Sequence, residues 1–358
     1  MANKVTFTNT SGQVLMVEAG KKDNLVDIYP KYFQNGFDED PKLGLIDVYG
    51  SMYVNGDTSK KPVTYFRHVD VATGKYRIGS LLEAGDTYLD HQKGVLHHEE
   101  LALRGDPITN NYHQLEGEKI RYGFDSNDAE KKVEVIFDED EISVKEGDFF
   151  ELKAYPWPVT FYDHQSVYLN SSTIFQPCTF LGKLDGRPVA GLGSVDRMAF
   201  KKAAGGFSSV PMGYIAISGM GIRKDGRKES VFVSASMNSV GKTLAIYYLE
   251  GETPVISDTV TIEADWVKLP YVDDGTCTFK DAAVYIGDKV IHYQGKWGSK
   301  GFTHEPNIEK HGQSQVFGTW YEGDTPYEHR LSYTFSESME AYEHVLKDLG
   351  FNVYESLD

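Results

Sequence analysis

At 358 residues the chain exceeds a usual single domain, so two domains or one large β architecture are the natural outcomes. With 53 acidic against 36 basic side chains and a formal charge of -17, it opposes nucleic acid and anionic membrane surfaces, and neither is expected as a partner. Hydrophobic content is an ordinary 40%, while 35 Gly, 23 Tyr and 19 Phe point to aromatic-rich strands joined by tight turns, β rather than α.

The N-terminal stretch M-A-N-K-V-T-F-T-N-T-S-G lacks the apolar core and cleavage site of a secretory signal, and no later apolar run is long enough to span a bilayer. Cys178 and Cys277 lie too far apart in sequence for a disulfide framework or a zinc pattern, so a soluble protein of the reducing cytoplasm is expected. Short strands are expected over 5–8 and 14–18, then a polar loop carrying Tyr29, Tyr32, Phe33 and Phe37, a candidate lid. Strands follow over 45–54, 63–70, 75–82, 95–103, 120–124, 133–137, 149–155 and 173–181. Turns such as Asn55-Gly56 and Glu146-Gly147-Asp148 separate them, a hairpin grammar rather than βαβ. The pattern resumes over 214–222, 230–236, 244–249, 255–264, 276–285, 289–295, 314–320 and 329–334. One helix is expected over 337–349, capped by Ser336, striped by Met339, Tyr342, Val345, Leu346 and Leu349, and ended by Gly350.

Between the halves lies D-G-R-P-V-A-G-L-G-S-V-D-R-M-A-F, residues 185–200. Its turn signal and the Gly, Lys, Asp, Gly composition of 182–187 suggest a linker, giving domains 1–184 and 185–358. In the strand that follows, alternation puts Val195 and Arg197 on one face and Asp196 and Met198 on the other. A buried carboxyl there is either paired and structural, or raised in pKa and fit to be an acid.

Other motifs are weaker. Thr87-Tyr88-Leu89-Asp90-His91-Gln92 and Thr160-Phe161-Tyr162-Asp163-His164-Gln165 share T-aromatic-x-D-H-Q; the plain reading is a turn-forming Asp beside a surface His, though aromatics crowd the second copy. His97-His98-Glu99-Glu100 invites a metal reading, but without an H-E-x-x-H helix a polar strand face is the commoner explanation, and no metal is expected. Residues 236–243 imitate a phosphate loop, yet a strand rather than a helix follows, leaving the anion cradle incomplete. No G-x-S-x-G elbow or G-x-G-x-x-G fingerprint occurs.

Gly191-Leu192-Gly193-Ser194-Val195-Asp196-Arg197, at the centre of a two-part β-rich chain, resembles the central segment of the tandem lipocalin-like family of hydroxyneurosporene synthase (carotenoid 1,2-hydratase) and related Diels-Alderases. That segment often reads as glycines, an aromatic and D-H; here the Asp is kept and Arg197 stands where His is common. The resemblance implies an all-β fold of two tandem lipocalin-like antiparallel barrels and a hydrophobic pocket near their interface. It also implies cofactor-free chemistry on an isoprenoid- or polyketide-like apolar molecule. Hydrating or isomerising an alkene needs a proton donor kept protonated by an apolar site, aromatic faces for the carbocation, and a group to orient water. Asp196 is the first choice for the acid, Asp163 or His164 for orienting water or taking a proton. Trp157, Tyr162, Tyr214, Trp266, Tyr293 and Trp297 are candidates for the aromatic wall. Two alternatives stay open. A non-catalytic binder of an apolar ligand would have a pocket without a buried ionisable cluster; a carbohydrate-active or carbohydrate-binding protein would have an open groove with Trp faces and paired carboxylates.

Overall fold

The structure is a computed structural model that describes residues 2–10, 14–19, 42–59, 62–70, 75–83, 111–116, 119–124, 132–138, 140–148, 150–165, 171–200, 213–238, 241–269, 275–295, 303–304 and 313–355. The expected lid loop, the strand over 95–103, the first T-aromatic-x-D-H-Q copy, the His97 to Glu100 cluster and Trp297 lie outside them. In chain order the strands begin with β1 (Lys4–Thr8), β2 (Val14–Ala19), β3 (Lys42–Val54), β4 (Val63–Asp70), β5 (Lys75–Glu83) and β6 (Asn111–Glu116). Next come β7 (Lys119–Phe124), β8 (Val133–Phe137), β9 (Ile142–Glu146), β10 (Phe150–Pro156), β11 (Val159–Gln165), β12 (Ser171–Leu184) and β13 (Arg187–Phe200). They continue with β14 (Tyr214–Ile222), β15 (Lys228–Ser236), β16 (Thr243–Leu249), β17 (Val255–Ser257), β18 (Thr259–Lys268) and β19 (Cys277–Ile286). The last are β20 (Lys289–Gly295), β21 (Thr303–His304), β22 (Gln313–Glu322), β23 (Leu331–Met339), helix α1 (Glu343–Leu349) and β24 (Asn352–Tyr354).

The chain divides into two compact units, Met16–Gly85 with Asp90–Gly206, and Met1–Leu15 with Asp86–Leu89 and Phe207–Asp358. The N-terminal unit carries a sheet of order β5-β4-β3-β13-β12-β10-β9-β8-β7-β6, with β11 and β2 attached beyond β12. The C-terminal unit carries the order β1-β18-β19-β20-β22-β23-β14-β15-β16-β17. The expected all-β architecture of tandem antiparallel sheets with a short C-terminal helix is the one observed. Among the described residues neither ladder closes into a full barrel. In the C-terminal unit closure would pair β1 with β17; two backbone bonds, Asn9 N–H to Asp258 O (2.7 Å) and Thr10 N–H to Gly241 O (2.9 Å), follow β1 instead of a ladder.

The boundary expected at 182–187 is corrected. Asp185 and Gly186 both have positive φ (49° and 74°), the signature of a tight two-residue hairpin, and β12 and β13 pair along all fourteen residues from Leu184 and Arg187 back to Ser171 and Phe200. The change of unit falls at Gly206/Phe207, and β1 belongs with the C-terminal sheet through its pairing with β18. The helix is also shorter than expected, because Ser336 to Met339 form the end of β23, laddered to β14. Tyr342 takes the N-cap position without its side chain capping the helix, while Gly350 at φ 100° ends the helix as read. Val345, Leu346 and Leu349 pack on the C-terminal core, where Trp266 meets Phe279 and Phe351 at centroid distances of 4.9 and 5.7 Å.

Candidate functional site

In the N-terminal unit β13 is flanked by β3 and β12, and its glycines are steric. A Cβ at Gly193 would lie 2.3 Å from both Tyr49 O and the Phe180 ring; one at Gly50, opposite, would lie 2.5 Å from Leu192 O. At Gly193 only glycine lets the Phe180 ring lie across the β3–β13 seam, and at Gly191 a Cβ would lie 1.9 Å from Ser51 O, so each glycine of the G-L-G that precedes the Asp has its own steric reason.

Alternation then separates the two charges. Ladder pairing puts Arg197 in one row with Ile174 and Tyr162, and Asp196 in another with Phe175, Phe161 and Asp47. Both side chains are buried, Asp196 to 3% and Arg197 to 3%, so both faces of the strand are covered rather than one. The Arg197 guanidinium sits 5.2 Å from the centroid of the Phe137 ring. Tyr65 O–H donates to Glu146 among these N-terminal strands.

On the opposite face Tyr49 O–H donates to Asp196 Oδ2 at 2.6 Å and Ser194 O–H donates to Oδ1. Burial pushes the Asp196 carboxyl well above the ordinary carboxylate range. The Ser194 and Tyr49 hydrogen bonds oppose that shift, the Asp47 charge adds to it, and Arg197 opposes it least.

Asp163, 2% exposed, shares the Asp196 face through Thr173 and Met198. It stands two strands and two residues away, about 12 Å between Cα atoms on ideal sheet spacings. Trp157 reaches the same face, its indole N–H donating to Thr179 Oγ1 at 3.0 Å; Thr179 is four residues along β12 from Phe175, about 13 Å. Tyr162 is buried on the Arg197 side. His164 occupies a β11 position whose side chain is outside the description, and Tyr214 begins β14, half-buried.

Trp266 and Tyr293 are core in the C-terminal unit, so the sheet there uses them for packing: Tyr293 O–H donates to Val316 O at 2.7 Å, and both rings lie against Phe279. Asp47 and Tyr49, next to Asp196 across the ladder, went unread in the sequence, because only the β3–β13 register brings them there.

The C-terminal unit holds a second ionisable cluster that no local motif announces. Glu229 is fully buried on β15, and its two oxygens accept from Arg223 Nε at 3.0 Å, Tyr247 O–H at 2.6 Å and Tyr327 O–H at 2.8 Å, with His329 Nε2 at 2.9 Å. Burial alone would raise this carboxyl, but the bonds from His329, Arg223, Tyr247 and Tyr327 hold it down at about 2. Two β14 glycines make room for it: a Cβ at Gly221 would lie 2.0 Å from the His329 ring, and one at Gly219 would lie 2.9 Å from Trp320, whose ring meets His329 at a tilt with centroids 4.9 Å apart. The two buried carboxyls are therefore shifted in opposite directions, which is how environment separates acids from anchors.

Among the described residues no group of three or more His, Cys, Asp or Glu is placed to hold a metal ion, and no helix is long and apolar enough to cross a membrane. The stretch resembling a phosphate loop is the β15–β16 connection, followed by a strand as its sequence implied.

No protein-family model and no curated protein matches the sequence. Among solved structures the chain is similar to a candidate AttH protein from Nitrosomonas europaea, at 10% identity over 90% of this chain and 98% of that one, with a TM-score of 0.43. It is also similar to kievitone hydratase from Nectria haematococca, at 11% identity over 94% of this chain and 96% of that one, with a TM-score of 0.31. Both likenesses are distant, and the functional reading rests on this chain's own residues.

Proposed function

We propose that the chain is a cofactor-independent lyase, isomerase or cyclase of the hydratase type, acting on an apolar isoprenoid- or polyketide-like molecule with Asp196 as proton donor. The observation that carries this reading is the state of Asp196: a carboxyl buried to 3%, raised in pKa, and oriented by two hydroxyl groups. A carboxyl raised in this way favours its protonated form, the form that can deliver a proton to an alkene carbon. Tyr49 and Ser194 fix its orientation, since a hydroxyl can donate to one carboxyl oxygen and accept from the protonated other. The cation formed would be held by the aromatic faces in the same rows, Phe161 and Phe175, with Trp157 further along. Asp163 would orient the water, or His164 take a proton. Hydration and isomerisation move only protons and water, so this chemistry calls on no redox cofactor.

The binder alternative expects no buried ionisable cluster, and Asp196, Tyr49 and Ser194 form one. A sugar-binding groove expects open Trp faces beside paired carboxylates, and the described Trp157, Trp266 and Trp320 are buried to 1%, 0% and 2%, so the aromatic part of that expectation finds no support among the described residues. Asp196→Asn keeps the volume and removes the proton. Incubated with an apolar metabolite extract in ¹⁸O-labelled water, the wild-type protein should produce ¹⁸O-containing or isomerised compounds. The variant should lose about 100-fold or more of that activity with its melting temperature roughly retained. Normal turnover by the variant would remove Asp196 from the chemistry.

A further inference from the structure

The carboxylate nearest Asp196 is not Asp163 but Asp47. It lies directly opposite on β3, in the pair Asp47–Asp196 of an unbroken stretch of ladder running from Leu45 to Val54. Directly opposed side chains on one sheet face have Cβ atoms roughly 4.5–5.5 Å apart, and like charges there repel. The two environments differ. Asp196 is buried, whereas Asp47 is partly exposed although its Oδ1 is buried, so of the two Asp47 is the better placed to carry a hydrated charge. Tyr49, two residues along β3 on the same face, ties that strand to Asp196 Oδ2.

We propose that Asp47 is a positioning residue: the negative half of a carboxyl pair set across the β3–β13 ladder, which keeps the proton on Asp196 and faces whatever positive charge forms there. The proposal rests on the reading of Asp196 as proton donor and adds a substrate class to it. A site with a standing negative charge beside its acid accepts neutral molecules that become cationic, and it disfavours carboxylates and phosphates. The other titratable or charged groups around Asp196 do not replace Asp47. Tyr49 and Ser194 donate to Asp196 and so favour its ionised form; Arg197 and Cys178 lie on the opposite face of the ladder; Asp163 is two strands away. Across β4 the ladder position facing Asp47 is His68.

The test is a pH titration of the full chain carrying ¹³C-carboxyl aspartate, read by NMR, with the Asp196 signal assigned by its loss in Asp196→Asn. In the wild type that signal should titrate above the ordinary Asp range. In Asp47→Asn, or in Asp47→Ser should the first variant fold poorly, its midpoint should fall by about one to two pH units as the neighbouring charge is removed. Asp47→Glu, which keeps the charge, should leave it raised. A raised wild-type midpoint that does not move in either neutral variant overturns the pairing and leaves Asp196 as the acid. An ordinary midpoint in the wild type overturns the acid reading itself.

Discussion

Removing the Glu229 carboxylate should destabilise the C-terminal unit more than most single substitutions. In Glu229→Ala four donors lose their acceptor. Arg223 is partly exposed and keeps Glu322 at 3.5 Å, and Tyr327 is half-exposed, so water can resolvate both. Tyr247 at 2% exposure and the His329 side chain at 2% cannot be resolvated in this way. Two buried donors left without an acceptor cost about 1–3 kcal/mol each, and Arg223 loses its main counter-charge, so the loss should be about 3–5 kcal/mol. With a urea m-value of roughly 2 kcal/mol/M, the midpoint should fall by about 2 M. The pH dependence is a second measure of the same network. The folded carboxyl titrates at about 2 against an ordinary 4.5, so its contribution is full above about pH 4.5 and is lost as pH falls toward 2. That shift corresponds to about 3 kcal/mol. Urea unfolding at neutral pH and again near pH 3 measures both, and the acid-induced loss should be smaller in Glu229→Ala than in the wild type. A variant within about 1 kcal/mol of wild type at neutral pH would refute the reasoning and reduce the cluster to a surface-like ion pair.

Gly193→Ala should cost about 3 kcal/mol or more, because its Cβ meets the Tyr49 backbone carbonyl as well as the Phe180 ring, and backbone cannot swing aside. A thermal melt within a degree or two of wild type would show that the β3–β13 seam can spread. Cys178 is buried with its thiol pushed well up, first by burial, and Cys277 is buried as well, so native protein should resist iodoacetamide at mildly alkaline pH while denatured protein takes up two labels. Rapid labelling of the native chain would contradict that burial.

The β class was legible because alternating apolar residues between glycine turns are a local signal, and most described strands fall where that signal put them. β11, residues 159–165, was recognised as a motif but not as a strand. The Asp185-Gly186 turn signal is the same at a hairpin and at a domain boundary, because two residues of positive φ look alike whether the strands beside them pair or part. What decided it was a fourteen-residue ladder between β12 and β13. The helix start failed for a related reason. Ser336 and Met339 fit a helical stripe, yet as β23 they satisfy their backbone against β14, a partner more than a hundred residues earlier in the chain.

The sequence by itself determined that Asp196 and Arg197 face opposite ways, since that follows from the two-residue period of a strand. It also determined where the chain turns. Tertiary structure alone decided that both faces of β13 are buried, that Asp47 stands opposite Asp196, and that Arg223, Glu229, Tyr247, Tyr327 and His329 converge on one carboxylate. The physical reason is range: side-chain direction is set within one residue of backbone, whereas strand register and the desolvation of a charge depend on contacts among residues as far apart as Asp47 and Asp196.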